Sequence, residues 1–195
     1  MKNDEALKWR TTETVSLLRT PVFEVVRQSE ISATGITGDY VAMNAPDWVV
    51  VLPVYNGSFV MVWQWRHGED RLTTEFPGGV TNAGEDPADT ALRELKEETG
   101  FVPGKLTLLG KCSPNPALFK NHFYCFLAED LVPTGEQQLD GDELLDYELI
   151  PIADVIATFG DENCTHAFMG TAMAFYMRRI GFVPKREDTA ERTEK

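Results

Sequence analysis

Residues 78–101 read GGVTNAGEDPADTALRELKEETGF. Asp86 followed by Pro87 is a helix start, an aspartate N-cap with proline at the first helical position. Ala88, Ala91, Leu92 and Leu95 then recur at helical spacing as one apolar stripe, and Gly100 fits a C-cap. Glu94, Glu97 and Glu98 stand at i, i+3 and i+4, so their carboxylates share a face. Like charges at that spacing cost about 0.2–0.5 kcal/mol per pair. They also lie toward the helix C-terminus, where the macrodipole disfavours negative charge. A cluster set against both rules suggests a bound cation, and all-oxygen donors suggest a hard one, Mg²⁺ or Mn²⁺. Alone, the three glutamates would read as a solvated acidic face, with Arg93 and Lys96 in ordinary helix pairing. Phe76-Pro77-Gly78-Gly79 in front and Gly100 behind turn the reading toward metal. Gly78 and Gly79 let a carbonyl or an N–H come close to a metal or a phosphate.

Outward from this helix the pattern is that of strands. Residues 48–55 and 58–65 are β-rich runs joined by Asn56-Gly57, a strong hairpin signal. Residues 67–75 read as a loop, and residues 105–112, 121–128 and 145–152 as strands. Residues 165–180 read as a closing amphipathic helix. Before the hairpin, residues 15–20, 22–30 and 39–44 read as strands, with Gly35 and Gly38 as turn signals. Strands around a central helix, with a second helix late, predict an α/β fold: a mixed sheet between helices. The expected organisation is an N-terminal β-rich segment over 1–45, a main domain over 46–182, and a disordered tail over 183–195.

Composition bounds the partners. The chain has 195 residues, 43% hydrophobic and 25% charged, which suits one globular domain with an elaboration. Eighteen basic against 31 acidic residues give −13, which argues against nucleic acid as a bulk partner. Cys112, Cys125 and Cys164 are odd in number, far apart and without zinc spacing, so reduced thiols in a cytoplasmic protein are expected. The N-terminus does not read as a signal peptide, and no apolar run approaches membrane-spanning length. His67, His122 and His166 show no ligand spacing and read as structural or surface residues.

Gly79, Glu85, Arg93, Glu94, Leu95, Glu97, Glu98, Gly100 and Phe101 follow G-x5-E-x7-R-E-U-x-E-E-x-G-U, where U is bulky aliphatic or aromatic. This resembles the Nudix box with no position missing. Chance gives roughly one such match in millions of chains this long. The resemblance implies the Nudix fold, an α/β/α sandwich with a mixed β-sheet, here with a small N-terminal β-rich subdomain. It implies metal-assisted hydrolysis of a diphosphate linkage. It also implies Glu94 and Glu98 as direct metal ligands, Glu97 direct or through water, and the Gly78 carbonyl beside them. Arg93 would orient a ligand carboxylate, and Glu85 would be structural or a first-turn helix charge.

Gln64-Trp65-Arg66, Glu75-Phe76-Pro77-Gly78-Gly79 and Pro116, fifteen residues past Phe101, look like the ADP-ribose and nucleoside-diphosphate-sugar pyrophosphatase branch. By that resemblance Arg66 would bind the substrate diphosphate, with Glu75 and Pro116 among the substrate residues and Arg71 a further phosphate candidate. Trp48 and Trp65 could stack on a base, or serve as core. The branch draws a general base from a late acidic loop, and residues 138–143 are its counterpart. Glu143 is the first choice there, Glu98 the alternative. The branch also dimerises through N-terminal strands, which implies a homodimer that uses residues 1–45. Many ADP-ribose enzymes carry S-P-G and then a glutamate past the box; residues 113–121 read SPNPALFKN, with no acidic residue. That departure leaves room for another nucleotide sugar. A non-catalytic nucleotide-sensing domain and a triphosphate pyrophosphatase are the alternative readings.

Overall fold

The computed structural model describes residues 4–182 except 136, 140, 142, 162 and 163; the tail expected over 183–195 lies outside the described residues. After a single 3-10 turn at Asp4–Leu7 come three antiparallel strands, β1 (Trp9–Arg19), β2 (Glu24–Ser32) and β3 (Thr37–Asn44). Glu24 ties all three: its carboxylate accepts from Ser16 (2.7 Å) and Arg19 (2.8 Å) of β1 and from Asn44 (3.1 Å) of β3. This small sheet is fastened by backbone bonds around Met43, whose N–H donates to the Leu118 carbonyl and whose carbonyl accepts from Lys120.

The second sheet is built on the hairpin the sequence announces. Asn56 and Gly57 both take positive φ, 49° and 81°, the requirement of a type I′ turn. β4 (Trp48–Tyr55) and β5 (Ser58–Arg66) pair only beside the turn, at Val54↔Phe59 and Tyr55↔Ser58. Beyond it β4 pairs in parallel with β8 (Phe123–Pro133), which pairs antiparallel with β7 (Phe101–Cys112). β5 takes β6 (Arg71–Glu75) from Val62 onward and β9 (Leu145–Pro151) along its length, starting with Gln64↔Leu145.

Alternation along β4 makes the sandwich. Val49 and Val51 face α1 (Pro87–Thr99), with Ala91 and Leu95 buried against them. Val50 and Leu52 face α2 (Ile152–Thr158) and α3 (Ala167–Arg179). α3 buries Met169, Ala172, Met173 and Tyr176, one stripe at i, i+3, i+4 and i+7. The mixed sheet therefore lies between α1 and the α2–α3 pair. Among the described residues, no helix is long and apolar enough to cross a membrane.

Several local expectations change, and β1 begins at Trp9, ahead of the expected residue 15. Residues 71–75, expected as loop, form β6: the segment is held by pairing with β5 and by the buried Glu75. Residue 152 begins α2 instead of ending a strand; the short helix buries Val155. β7 starts at Phe101, directly after the helix cap, and β8 runs on to Pro133 to pair with it.

Candidate active site

The helix bearing the glutamates is set up as its sequence dictates. Asp86 Oδ1 accepts the Ala88 amide at 2.8 Å, and Gly100, at φ 69°, donates to the Lys96 carbonyl. The face that buries Ala91 and Leu95 carries Glu94 and Glu98 inward as well; they are 8% and 3% exposed. Glu98 accepts the Gly78 amide at 2.8 Å. Residues 77–79 run beside β4, with the Pro77 and Gly79 carbonyls accepting from Val51 and Val49.

Both glycines sit in close contact, Gly78 against backbone and Gly79 against a side chain. A Cβ on Gly78 would overlap the Val49 carbonyl oxygen, and one on Gly79 would overlap the Glu94 carboxylate. The backbone therefore lies directly on the carboxylates.

Burial leaves these acids reluctant to ionise. Desolvation pushes Glu98 well above the usual carboxylate range, opposed by the Gly78 N–H and Arg66 and reinforced by Glu94 and Glu143. Desolvation also raises Glu94, with Arg93 pulling down and Glu97 and Glu143 pushing up. Among the described residues, no three Asp, Glu, His or Cys side chains converge closely enough to enclose an ion. Arg93 stands between Glu94 (2.8 Å) and Glu97 (3.0 Å) through Nη1. Its Nε and Nη2 fork onto Glu85 at 3.1 and 3.2 Å, so the bidentate partner is Glu85 and not a candidate ligand carboxylate. The Arg93 bond, with the Asn82 amide, draws the Glu85 carboxyl down to about 2. Glu85 thus staples the preceding loop to the helix.

The loop after β8 is fastened to the end of α1. The Gln138 amide donates to the Glu97 carbonyl at 2.9 Å, and the Gln137 side chain donates to the Glu98 carbonyl. These bonds satisfy carbonyls left open at the helix C-terminus. Farther along, Glu143 is exposed, and its charge acts on both Glu94 and Glu98.

In front of Gly78 and Gly79 opens a cleft of about 340 Å³, with Arg66, Glu75, Trp48 and His166 on its walls. Arg66 forks onto Glu75, Nε to Oε1 at 2.7 Å and Nη2 to Oε2 at 2.6 Å. Thr73 adds a third donor to Glu75 at 2.6 Å. Burial pushes Glu75 up, but the Arg66 fork and the Thr73 hydroxyl overcome it and leave the carboxyl below its ordinary value. Burial likewise depresses Arg66, and Glu75 more than restores it. Trp48 forms an aromatic wall, with ring centroids 5.2 Å from Phe168 and 5.9 Å from Phe119.

The structure thus brings together Gly78, Glu94, Glu98, Arg66, Glu75 and Trp48, with Glu97 and Arg93 at the side and Glu143 within electrostatic reach. Trp65 is 46% exposed and Pro116 lies in an exposed turn; neither lines the cleft. Arg71 donates to Glu69 and Thr165 and does not line the cleft. His166, read from sequence as structural or surface, caps α3 and lines the cleft. Its position just before an apolar helical run was the available signal, but capping favours Ser, Thr, Asp and Asn.

The NUDIX domain model matches residues 45–168. An ADP-ribose pyrophosphatase of Bacillus subtilis (strain 168) is 37% identical over 113 residues, which cover 57% of this chain and 61% of that protein. The ADP compounds hydrolase NudE of Escherichia coli (strain K12) is 33% identical over 95 residues, 49% of this chain and 50% of that one. The chain thus spans between half and three fifths of the length of these relatives. A crystal structure of an ADP compounds hydrolase superposes with a TM-score of 0.78 at 25% identity, covering 90% of this chain and 97% of the other. With the family's domain model matched over more than half of the chain and the fold reproduced, the chain belongs to the Nudix family.

Proposed function

We propose that this chain hydrolyses the diphosphate linkage of ADP-ribose or a related nucleoside diphosphate sugar, giving a nucleoside monophosphate and a sugar phosphate. The observation that carries this reading is the pair of buried carboxylates, Glu94 and Glu98, lying against the Gly78-Gly79 wall of a cleft that also holds Arg66. The names of the relatives support ADP compounds as the substrate class.

The donors suit Mg²⁺ or Mn²⁺. Glu94, Glu97, Glu98 and the Gly78 carbonyl would hold it, all hard oxygens. The two buried acids repel each other when charged and are ionised only at a cost, which a cation would relieve. When bound, the ion supplies charge at the phosphoryl oxygens and a more acidic water.

The side chains account for the rest. Arg66, with Nε and Nη2 committed to Glu75, presents its remaining edge to the diphosphate oxygens. Glu143 accepts the proton of the attacking water, with Glu98 the alternative acceptor. Arg93 restrains Glu94 and Glu97. The Trp48 indole on the cleft wall, packed at a tilt against Phe119 and Phe168, offers a ring face to a nucleobase.

With Mg²⁺ or Mn²⁺, a nucleoside diphosphate sugar is expected to be cleaved within its diphosphate, so that reaction in ¹⁸O water labels a phosphate product. Release of free sugar, or a clear preference for triphosphates over every diphosphate ester, would overturn the reading. Nucleotide binding with no hydrolysis would point to a sensing domain.

The same reading includes a homodimer. β1 pairs with β2 alone among the described strands, and Leu17, Leu18 and Val22 lie exposed along it and its turn. Light scattering is expected to give twice the mass of one chain, and deletion of residues 1–45 to give monomers. A fully active monomer at micromolar concentration would defeat this.

A further inference from the structure

His166 works in two directions. Its Nδ1 accepts the Phe168 amide at 3.1 Å, which caps α3. In the neutral ring that bond leaves the proton on Nε2. Burial keeps the ring neutral, lowering its pKa against the pull of Glu75, with Arg66 pushing the same way as burial. Nε2 faces Glu75 Oε2 across 4.0 Å, too far for a direct hydrogen bond. The side chain is 31% exposed and opens on the cleft that Arg66 and Gly78 line.

Glu75 has room for one more donor. Oε1 takes Arg66 Nε and the Thr73 hydroxyl, whereas Oε2 takes, among the described residues, only Arg66 Nη2. A carboxylate offers about four acceptor sites, so one remains on the oxygen that His166 faces.

A donor and an acceptor 4.0 Å apart restrict what fits between them. A phosphate oxygen would take the N–H but would meet the charge of Glu75. A hydroxyl takes the proton of one and gives its own to the other. An oxygen about 2.8 Å from each would carry roughly a right angle between the two bonds, acceptable for a hydroxyl.

We propose that His166 and Glu75 together bind one hydroxyl of a sugar in the substrate, which makes His166 a specificity residue of this cleft. The proposal rests on the nucleotide-sugar reading above. A site built for a hydroxyl discriminates against the analogue that lacks it, because its own polar groups are then left unpaired.

His166→Asn and His166→Asp test it, since both residues retain an N-cap acceptor for the Phe168 amide and neither reaches as far as Nε2. kcat/KM is measured on the best nucleoside diphosphate sugar and on analogues lacking one sugar hydroxyl at a time. The wild type is expected to lose about tenfold or more on one analogue. Each variant is expected to lose a similar factor on the full substrate, mainly in KM, and nothing further on that analogue. A folded variant that keeps the wild-type ratios across all analogues overturns the role of His166, as does a wild type that distinguishes none of them. A wild type that hydrolyses none of these compounds overturns the hydrolase reading, and this proposal with it.

Discussion

Glu98→Gln is expected to lower kcat by about a thousandfold or more while leaving the fold as stable as before, or more so. The carboxylate is 3% exposed and accepts one backbone N–H, from Gly78 at 2.8 Å. Glutamine retains a carbonyl oxygen for that bond and removes a charge that burial, Glu94 and Glu143 all disfavour. The pH dependence has a definite sign. A carboxyl whose pKa is raised in the fold binds more protons folded than unfolded, once the pH exceeds the unfolded value near 4.5. In chelator, wild-type stability should therefore fall as pH rises from 4.5 through the raised value, and Glu98→Gln should fall less. The two should converge toward pH 4.5. Thermal denaturation across this range, beside turnover with Mg²⁺, checks both halves. Undiminished turnover would remove Glu98 from the chemistry, and a large loss of Tm would show that its charge is structural.

Arg66→Met is expected to impair both stability and turnover, and a second substitution separates the two. Glu75 is 3% exposed, and the Arg66 fork is its main compensation. Stranding such a carboxylate costs about 3 kcal/mol, even with Arg66 itself partly solvated. For a chain of this size that is roughly 6–12 °C in Tm. Turnover should drop about a hundredfold or more, because a cation facing the diphosphate is lost. Adding Glu75→Gln removes the stranded charge, so the double variant should recover most of the Tm and none of the rate. Recovery of the rate as well would show that Arg66 serves only to neutralise Glu75.

The box helix was legible because its signals are local: Asp86-Pro87, the stripe through Ala91 and Leu95, and the terminal Gly100 all lie within the element they shape. The Asn56-Gly57 turn was legible for the same reason. β6 was not, since Arg71, Thr73, Thr74 and Glu75 are polar and the strand is stabilised by β5 and by an ion pair formed across the hairpin. α2 spans seven residues, too few for helical periodicity to stand out. The partner of Arg93 was obscured by helix spacing, which directs attention to Glu97 at i+4. The fork instead reaches Glu85, eight positions back and outside the helix. The side that Trp65 takes was not legible: Gln64 and Trp65 are neighbours in sequence but point to opposite sides of β5, and the indole lies on the exposed one.

The fastening of the late acidic loop bounds where the backbone of Glu143 can sit. Gln138 is tied to the end of α1, and Leu145 is already in register with Gln64 of β5. Glu143 is therefore leashed from both sides, by five residues behind it and two ahead. At about 3.3–3.6 Å per residue, the shorter leash holds its backbone within about 7 Å of the start of β9. That anchor lies beside the end of β5, two positions from Arg66. The reach of the Glu143 backbone is thus centred on the strand that carries Arg66. Loop length, as much as loop charge, thus sets how near that acidic side chain comes to Arg66.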